Sequence, residues 1–261
     1  MLAISLINSI KREVWLRMNH SYLLIFAILF VSTFIHSTLG FGQALIAMPL
    51  LAMVVELKTA TPLVAFVLMT IAVVILLRNW HVVDLSIVWR LVLSSCFGIP
   101  VGLFLLKGVP EGQMKIFLGI LVILFSLFNL TNRYLKMIDL SRVGGGSVLI
   151  YLFGFVAGVF GAAYNTSGVV ITIYATLRDW APDRFRSTLQ GYFVLTGLLI
   201  LASHGLAGLW TADVLRLYGT SLPLVLVGIF LGGKLHRFIP EGQFDGYVNV
   251  GLLILGCLLF R

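Results

Sequence analysis

A chain of 261 residues that is 60% hydrophobic and only 11% charged, with a mean hydropathy of +1.07, is not a water-soluble domain, in which about a quarter of residues are charged. Apolar stretches occupy nearly the whole length and no polar block is long enough for a domain, which excludes a single anchor on a soluble body and implies many membrane spans. The net charge of +8 follows from the Lys/Arg bias of membrane-protein loops, so nucleic acid is not needed as a partner.

In chain order, residues 1–20 come first. Lys11, Arg12, Glu13 and Arg17 interrupt and follow the opening apolar run, whereas a signal peptide carries its basic residues ahead of it. An N-terminal interfacial segment on the cytoplasmic surface is expected there. Next come 38 uncharged residues between Arg17 and Glu56. One span needs about 20 residues, so this stretch is too long for one helix and short for two. Its hydrophobicity dips over His36-Ser37-Thr38-Leu39-Gly40-Phe41-Gly42-Gln43, which predicts a helix, a break, and a second, shorter helix.

Apolar segments follow at 59–77, 86–106 and 114–130, then a polar connection at 131–142. The pattern then restarts. Between Arg142 and Arg178 lie 35 uncharged residues with a central dip over 161–168, and after them come segments at 187–209, 214–233 and 246–260. All five Trp residues (15, 80, 89, 180, 210) stand near charges or segment ends, where interfacial anchors belong. Cys96 and Cys257 lie inside apolar stretches as small hydrophobes, without disulfide or metal-ligand spacing.

The restart is a duplication. Val109-Pro110-Glu111-Gly112-Gln113 recurs as Ile239-Pro240-Glu241-Gly242-Gln243, and Gly98, Ile99, Gly102 and Leu105 recur as Gly228, Ile229, Gly232 and Leu235, all at an offset of 130 residues. Weaker echoes pair Phe66-Val67-Leu68 with Phe193-Val194-Leu195, and Phe41-Gly42 with Phe160-Gly161. The expected fold is therefore an all-α polytopic membrane protein made of two pseudo-symmetric repeats, 21–130 and 143–261, joined by 131–142, each with about five hydrophobic segments and a broken or re-entrant helix. Five crossings in each half, the expected count, give inverted repeats; eight crossings in total would give parallel ones. The repeated Pro-Glu-Gly-Gln reads as a helix-start device, with proline at the start and an acidic residue in the first turn.

Chemistry is expected at the two dips. A helix break at membrane depth survives only when buried in protein or lining a cavity, and the helix that restarts there presents unpaired N–H groups and a positive dipole end, which attract an anion. The candidate substrate-binding residues are His36, Phe41, Gly42 and Gln43 at the first dip and Asn165, Thr166 and Ser167 at the second. Gln190 and Arg186 follow on the next segment. Arg178, Arg184 and Arg186 crowd the loop after the second dip and are placed to recruit an anion, although a solvated loop explains them nearly as well. For His36 and His204 a neutral, packed imidazole is the default reading.

All ten acidic residues (13, 56, 84, 111, 139, 179, 183, 213, 241, 245) lie in loops or at segment ends. The mid-membrane carboxylate that proton- and sodium-coupled carriers often use is therefore missing. Anion export down the membrane potential needs no coupling ion. No HExxH, GxSxG, Walker-type loop or cysteine cluster is present, so neither an enzyme nor a bound cofactor or metal is expected.

Two sets of residues carry a family resemblance. The first is Gly40-Phe41-Gly42-Gln43-Ala44-Leu45-Ile46-Ala47-Met48-Pro49-Leu50-Leu51. The second is Phe160-Gly161-Ala162-Ala163-Tyr164-Asn165-Thr166-Ser167-Gly168, followed by Ile173-Tyr174-Ala175 and Arg184-Phe185-Arg186-Ser187-Thr188-Leu189-Gln190. Over about residues 22–260 the chain resembles the TauE/SafE family of membrane permeases, described as exporters of sulfite and small organosulfonates. The resemblance implies a multi-pass protein of the inner (plasma) membrane, a substrate site between the halves, and a homodimer. The expected function is a secondary transporter that exports a small sulfur-containing anion, sulfite or a short organosulfonate, as a potential-driven uniporter by alternating access between the two repeats. An anion channel, or a non-transporting scaffold or subunit of an enzyme complex, is the alternative.

Overall fold

The structure, a computed structural model, describes the backbone of residues 2–79, 83–135, 146–178, 180–235 and 245–260, and their side chains except at 2–20, 78–79, 132–135, 146–147, 182–183, 186 and 245–248. Ten helices and no strand occur among these residues. The first half holds α1 (Leu2–Leu39), α2 (Gln43–Leu51), α3 (Leu57–Asn79), α4 (Leu85–Gly108) and α5 (Glu111–Leu135). The second holds α6 (Gly146–Tyr164), α7 (Ser167–Leu177), α8 (Pro182–Leu206), α9 (Ala212–Leu235) and α10 (Asp245–Leu258).

Helix is forced on such a sequence, because hydrocarbon cannot satisfy a backbone N–H or C=O and only the helix pairs all of them within one segment. Among the described residues six helices are long and apolar enough to cross a membrane, with span-length stretches from Ser21–Leu39 in α1 to Ala212–Leu235 in α9. Residues 2–20 continue α1 beyond its span. Large apolar side chains such as Phe97, Phe104, Phe117, Leu198 and Ile254 point outward, as lipid contact demands. The protein is a multi-pass membrane protein. Cys96 and Cys257 are both unpaired and on the outer surface.

The repeated glycines have one job in both halves. At Gly98 and Gly102 of α4 an added Cβ would overlap Phe155 O and Val159 O of α6, and at Gly232 of α9 it would overlap Phe34 O of α1. At Gly228 it would stand 3.3 Å from Phe30 O. The fourth helix of each half thus lies backbone-to-backbone along the first helix of the other, a close approach that only a residue without a side chain permits.

α3 and α8 run in opposite directions, as do α5 and α10. Gly197, in mid-α8, meets Met69 of α3, while Gly191, nearer the start of α8, meets Val83 just past the end of α3. Similarly, Gly119 of α5 packs on Gly256 of α10, whereas Asn129, further along α5, is bonded to Asn249 near the α10 start at 3.4 Å. The first Pro-Glu-Gly-Gln begins a helix: Met114 N–H bonds Pro110 O, and Glu111 pairs with Lys115 at 2.9 Å across the first turn. Its second copy, at 240–243, lies outside the described residues.

Asp84 ties the start of α4 to that of α8. Its Oδ1 caps α4 by accepting from Ser86 N–H (3.1 Å) and Ile87 N–H (3.3 Å), and its Oδ2 pairs with Arg184. The hydrogen bond from Arg184, helped by the Ile87 N–H, holds the Asp84 carboxyl below the usual carboxylate range. The stabilisation is therefore fully present above the ordinary aspartate value of about 3.9 and fades as pH falls through the lower folded value. Asp84→Ala should cost about 1 kcal/mol through the lost cap, plus no more than about 1 kcal/mol from an ion pair at the exposed rim. Thermal unfolding in detergent at pH 7 reads this loss, and it should vanish at strongly acid pH, where the native carboxyl is protonated as well.

Candidate functional site

The long uncharged stretches do break, and they break at their dips. α1 stops at Leu39, and Gly40 (φ 90°) and Gly42 (φ 98°) turn the chain through the left-handed region, where glycine carries no Cβ penalty. α2 then starts at Gln43. In the second half α6 stops at Tyr164, and Asn165 takes φ 58°, a left-handed geometry that Asn tolerates better than most residues. Asn165 N–H and Thr166 N–H fold back onto Gly161 O (2.8 Å) and Phe160 O (3.3 Å), after which α7 starts at Ser167.

Neither new helix is capped by a side chain. Gly42, at the cap of α2, has none to offer, and Thr166, at the cap of α7, directs its Oγ1 back to Phe160 O at 3.4 Å. The first-turn N–H groups of both helices therefore lack the partner that an N-cap normally supplies.

Both helix starts face one small cavity of about 20 Å³, room for roughly one water. His36, Phe41, Gly42 and Gln43 reach it from the first break, and Asn165, Thr166 and Gly168 from the second; Leu68 of α3 and Phe193 of α8 complete its main walls. Gln43 is fully buried, and neither its Nε2 nor its Oε1 has a partner among the described residues. A buried amide left in that condition costs several kcal/mol in an apolar medium, on the order of 2–7, unless something polar fills the space beside it.

Each break is held by the third helix of the opposite half. Gln190 of α8 donates Nε2 to Gly40 O at 2.8 Å. On the other side, Thr61 of α3 donates Oγ1 to Ala163 O at 3.3 Å and accepts from Asn165 Nδ2 through its own carbonyl at 2.7 Å. His204 of α8 adds a bond from Nε2 to Ala162 O at 2.9 Å, which requires the proton on Nε2. The carbonyls left open where α1 and α6 end are thereby satisfied at membrane depth.

Of the expected site residues, His36, Phe41, Gly42, Gln43, Asn165 and Thr166 converge on the cavity. Ser167 lines a neighbouring chamber. Gln190 supports the first break and is not among the cavity walls, and the Arg186 side chain lies outside the described residues. Arg184 is engaged by Asp84 at the rim and Arg178 lies over the Tyr174 ring at 5.9 Å. Thr61 and Phe193 were not singled out as site residues. Phe193 carried a signal, as part of the Phe-Val-Leu echo; Thr61 carried none.

A wider recess of about 300 Å³ opens beside the junctions α2–α3 and α4–α5, lined by Glu56, Lys58, Lys107, Glu111 and Met114 among others. Tyr164 Oη donates to Met114 O at 2.9 Å, so the tip of α6 touches the recess wall one residue before Asn165.

Against known proteins, a family model described as Sulfite exporter TauE/SafE matches residues 24–259. No curated protein and no solved structure matches the chain.

Proposed function

We propose, from the premise that this chain belongs to the TauE/SafE sulfite exporter family of membrane permeases, that it is a secondary carrier exporting a small sulfur-containing anion. Sulfite or a short organosulfonate sits between the two helix breaks. The observation that carries this reading is the meeting of two uncapped helix starts on one small cavity, beside the buried, unpartnered amide of Gln43. Two positive dipole ends and neutral donors suit an oxyanion, and discontinuous helices in corresponding halves are the usual site of secondary carriers.

Alternating access follows if the halves form an inverted repeat. The opposed directions of α3 and α8, and of α5 and α10, support an axis in the membrane plane. The first break then faces one side and the second the other, each restrained from across the axis by Gln190 or by Thr61. The recess at Lys58 and Lys107 is the outer vestibule of one route, closed by the bond from Tyr164 to Met114.

Glu56, Asp84, Glu111 and Asp213 all stand at helix ends, which supports uniport without a coupling ion. Each negative charge leaving a cell gains about 2.3 kcal/mol per 100 mV of inside-negative potential. In proteoliposomes, sulfite or methanesulfonate efflux should therefore accelerate when the lumen is made negative and reverse when it is made positive. Flux that ignores the potential, or that runs only with a proton gradient, overturns uniport; single-channel current steps overturn the carrier.

A further inference from the structure

The cavity between the breaks has a neighbour. A second chamber of about 20 Å³ shares Leu68, Asn165 and Phe193 with the first, and its other walls are Ala65, Met69, Gly197 and Ile200 with Ser167 and Thr196. The two differ in chemistry. The first has the helix starts and the Gln43 amide; the second is walled mainly by small and flexible apolar groups, and the Thr196 hydroxyl is already committed to Tyr192 O at 2.6 Å.

Among the three shared residues, Asn165 is tied to Thr61 O at 2.7 Å. The Phe193 ring has no group that a hydrogen bond could tether, and the residue is only partly buried. Its ring rests on Gly168, where an added Cβ would stand 2.9 Å from Cζ, and its neighbouring rings, Tyr192 and His36, have centroids 6.0 and 6.2 Å away. Each chamber alone takes roughly one water. An SO3 group is larger than a water molecule, so its binding requires a wall to move; of the two apolar side chains that both chambers share, Leu68 and Phe193, the Phe193 ring is the larger.

We propose that the chamber behind Phe193 is a second subsite, which receives the apolar substituent on sulfur while the SO3 group lies between the helix starts, with Phe193 as the movable partition that sets how long the substituent can be. This rests on the reading of the break cavity as an oxyanion site. The two chambers then divide the labour of a head-and-tail ligand: donors and dipoles orient the charged end, and methionine and small aliphatic groups accept the tail.

The test is a titration of the purified protein in detergent with sulfite, methanesulfonate, ethanesulfonate and propanesulfonate, read by calorimetry. Affinity should rise about fourfold for each methylene that enters the second chamber. Gly197→Val fills that chamber at a position where the nearest atom to a new Cβ is Met69 Sδ, 3.3 Å away at the end of a flexible side chain; the variant should bind the three sulfonates equally. Phe193→Ala removes the partition and should extend the fourfold steps to longer chains. A flat or falling series in the unaltered protein, or an undiminished slope in Gly197→Val, overturns the subsite while leaving the oxyanion site standing. Failure to bind any of the four anions overturns both.

Discussion

Gly102→Leu should leave no folded protein, giving an aggregated profile on size exclusion in detergent where the parent runs as one peak. Even Ala at this position meets Val159 O, Val159 C at 2.9 Å and the Ala162 Cβ at 3.0 Å. These atoms are backbone or backbone-proximal, so α4 and α6 have to separate along their whole contact. Overpacking a core by a methylene or two costs about 1–3 kcal/mol; here Gly102→Ala should reach the upper end and Leu should exceed the total stability of most domains, about 5–15 kcal/mol. Gly232→Leu should behave alike, since its Cβ would overlap Phe34 O and approach the Ser37 Cβ at 2.8 Å. Gly251→Ala, with nothing within 4 Å of the new Cβ, is the matched control. A folded Gly102→Leu protein would show that the fourth helix of one half does not lie against the first helix of the other.

Asn165→Asp should abolish anion binding and lower the melting temperature. Aspartate keeps the size of the side chain and tolerates the left-handed φ of 58°. It replaces the Nδ2 donor facing Thr61 O by a carboxylate oxygen and brings a negative charge to the cavity wall. An uncompensated like charge in a buried site costs several kcal/mol, so affinity for sulfite or methanesulfonate should fall at least about a hundredfold. Asn165→Ala is milder in charge and harsher in backbone: it loses the bond to Thr61, about 1 kcal/mol, and places a non-glycine, non-Asn residue at positive φ, about 1–2 kcal/mol more. Asn165→Gly loses only the bond and should be the more stable of the two in thermal unfolding. Anion-induced stabilisation, measured across the three variants, checks the series; equal binding in all of them would remove Asn165 from the site.

Much of the architecture is legible in the residue order. Hydrophobic runs at 59–77, 86–106 and 114–130 became Leu57–Asn79, Leu85–Gly108 and Glu111–Leu135, the helices extending a little past the apolar residues because polar side chains at the interface do not stop a helix. The largest displacement is at 187–209, where the helix runs Pro182–Leu206. Its start lies among charged residues, with proline in the first turn, a position where the missing N–H costs nothing. Its end comes early because Gly208 turns the chain at φ 76°. The two breaks fell inside the dips, since glycine, Asn and clustered polar side chains are the residues that tolerate an interrupted helix in a membrane.

Contacts across the halves left no comparable trace. Thr61 and Ala163, Gln190 and Gly40, and Asn165 and Thr61 are each separated by more than a hundred residues, and no local pattern announces such a pair. Arginines 178, 184 and 186 read together as an anion-recruiting cluster, yet Arg184 is spent on Asp84 at the rim, because a charge beside a helix start finds the nearest carboxylate of the packed neighbour.

The sequence by itself determined that this chain spans a membrane many times, that short motifs recur at an offset of 130 residues, and where the long uncharged stretches interrupt their helices, because hydropathy, motif spacing and helix-breaking residues all act locally. Only the tertiary structure decided that the repeated glycines seat the fourth helix of each half on the first helix of the other, that both breaks open onto a single cavity, and that Leu68, Asn165 and Phe193 are shared between that cavity and its neighbour. Those facts depend on which helices pack together, and packing is set by the fit of whole surfaces rather than by any run of residues.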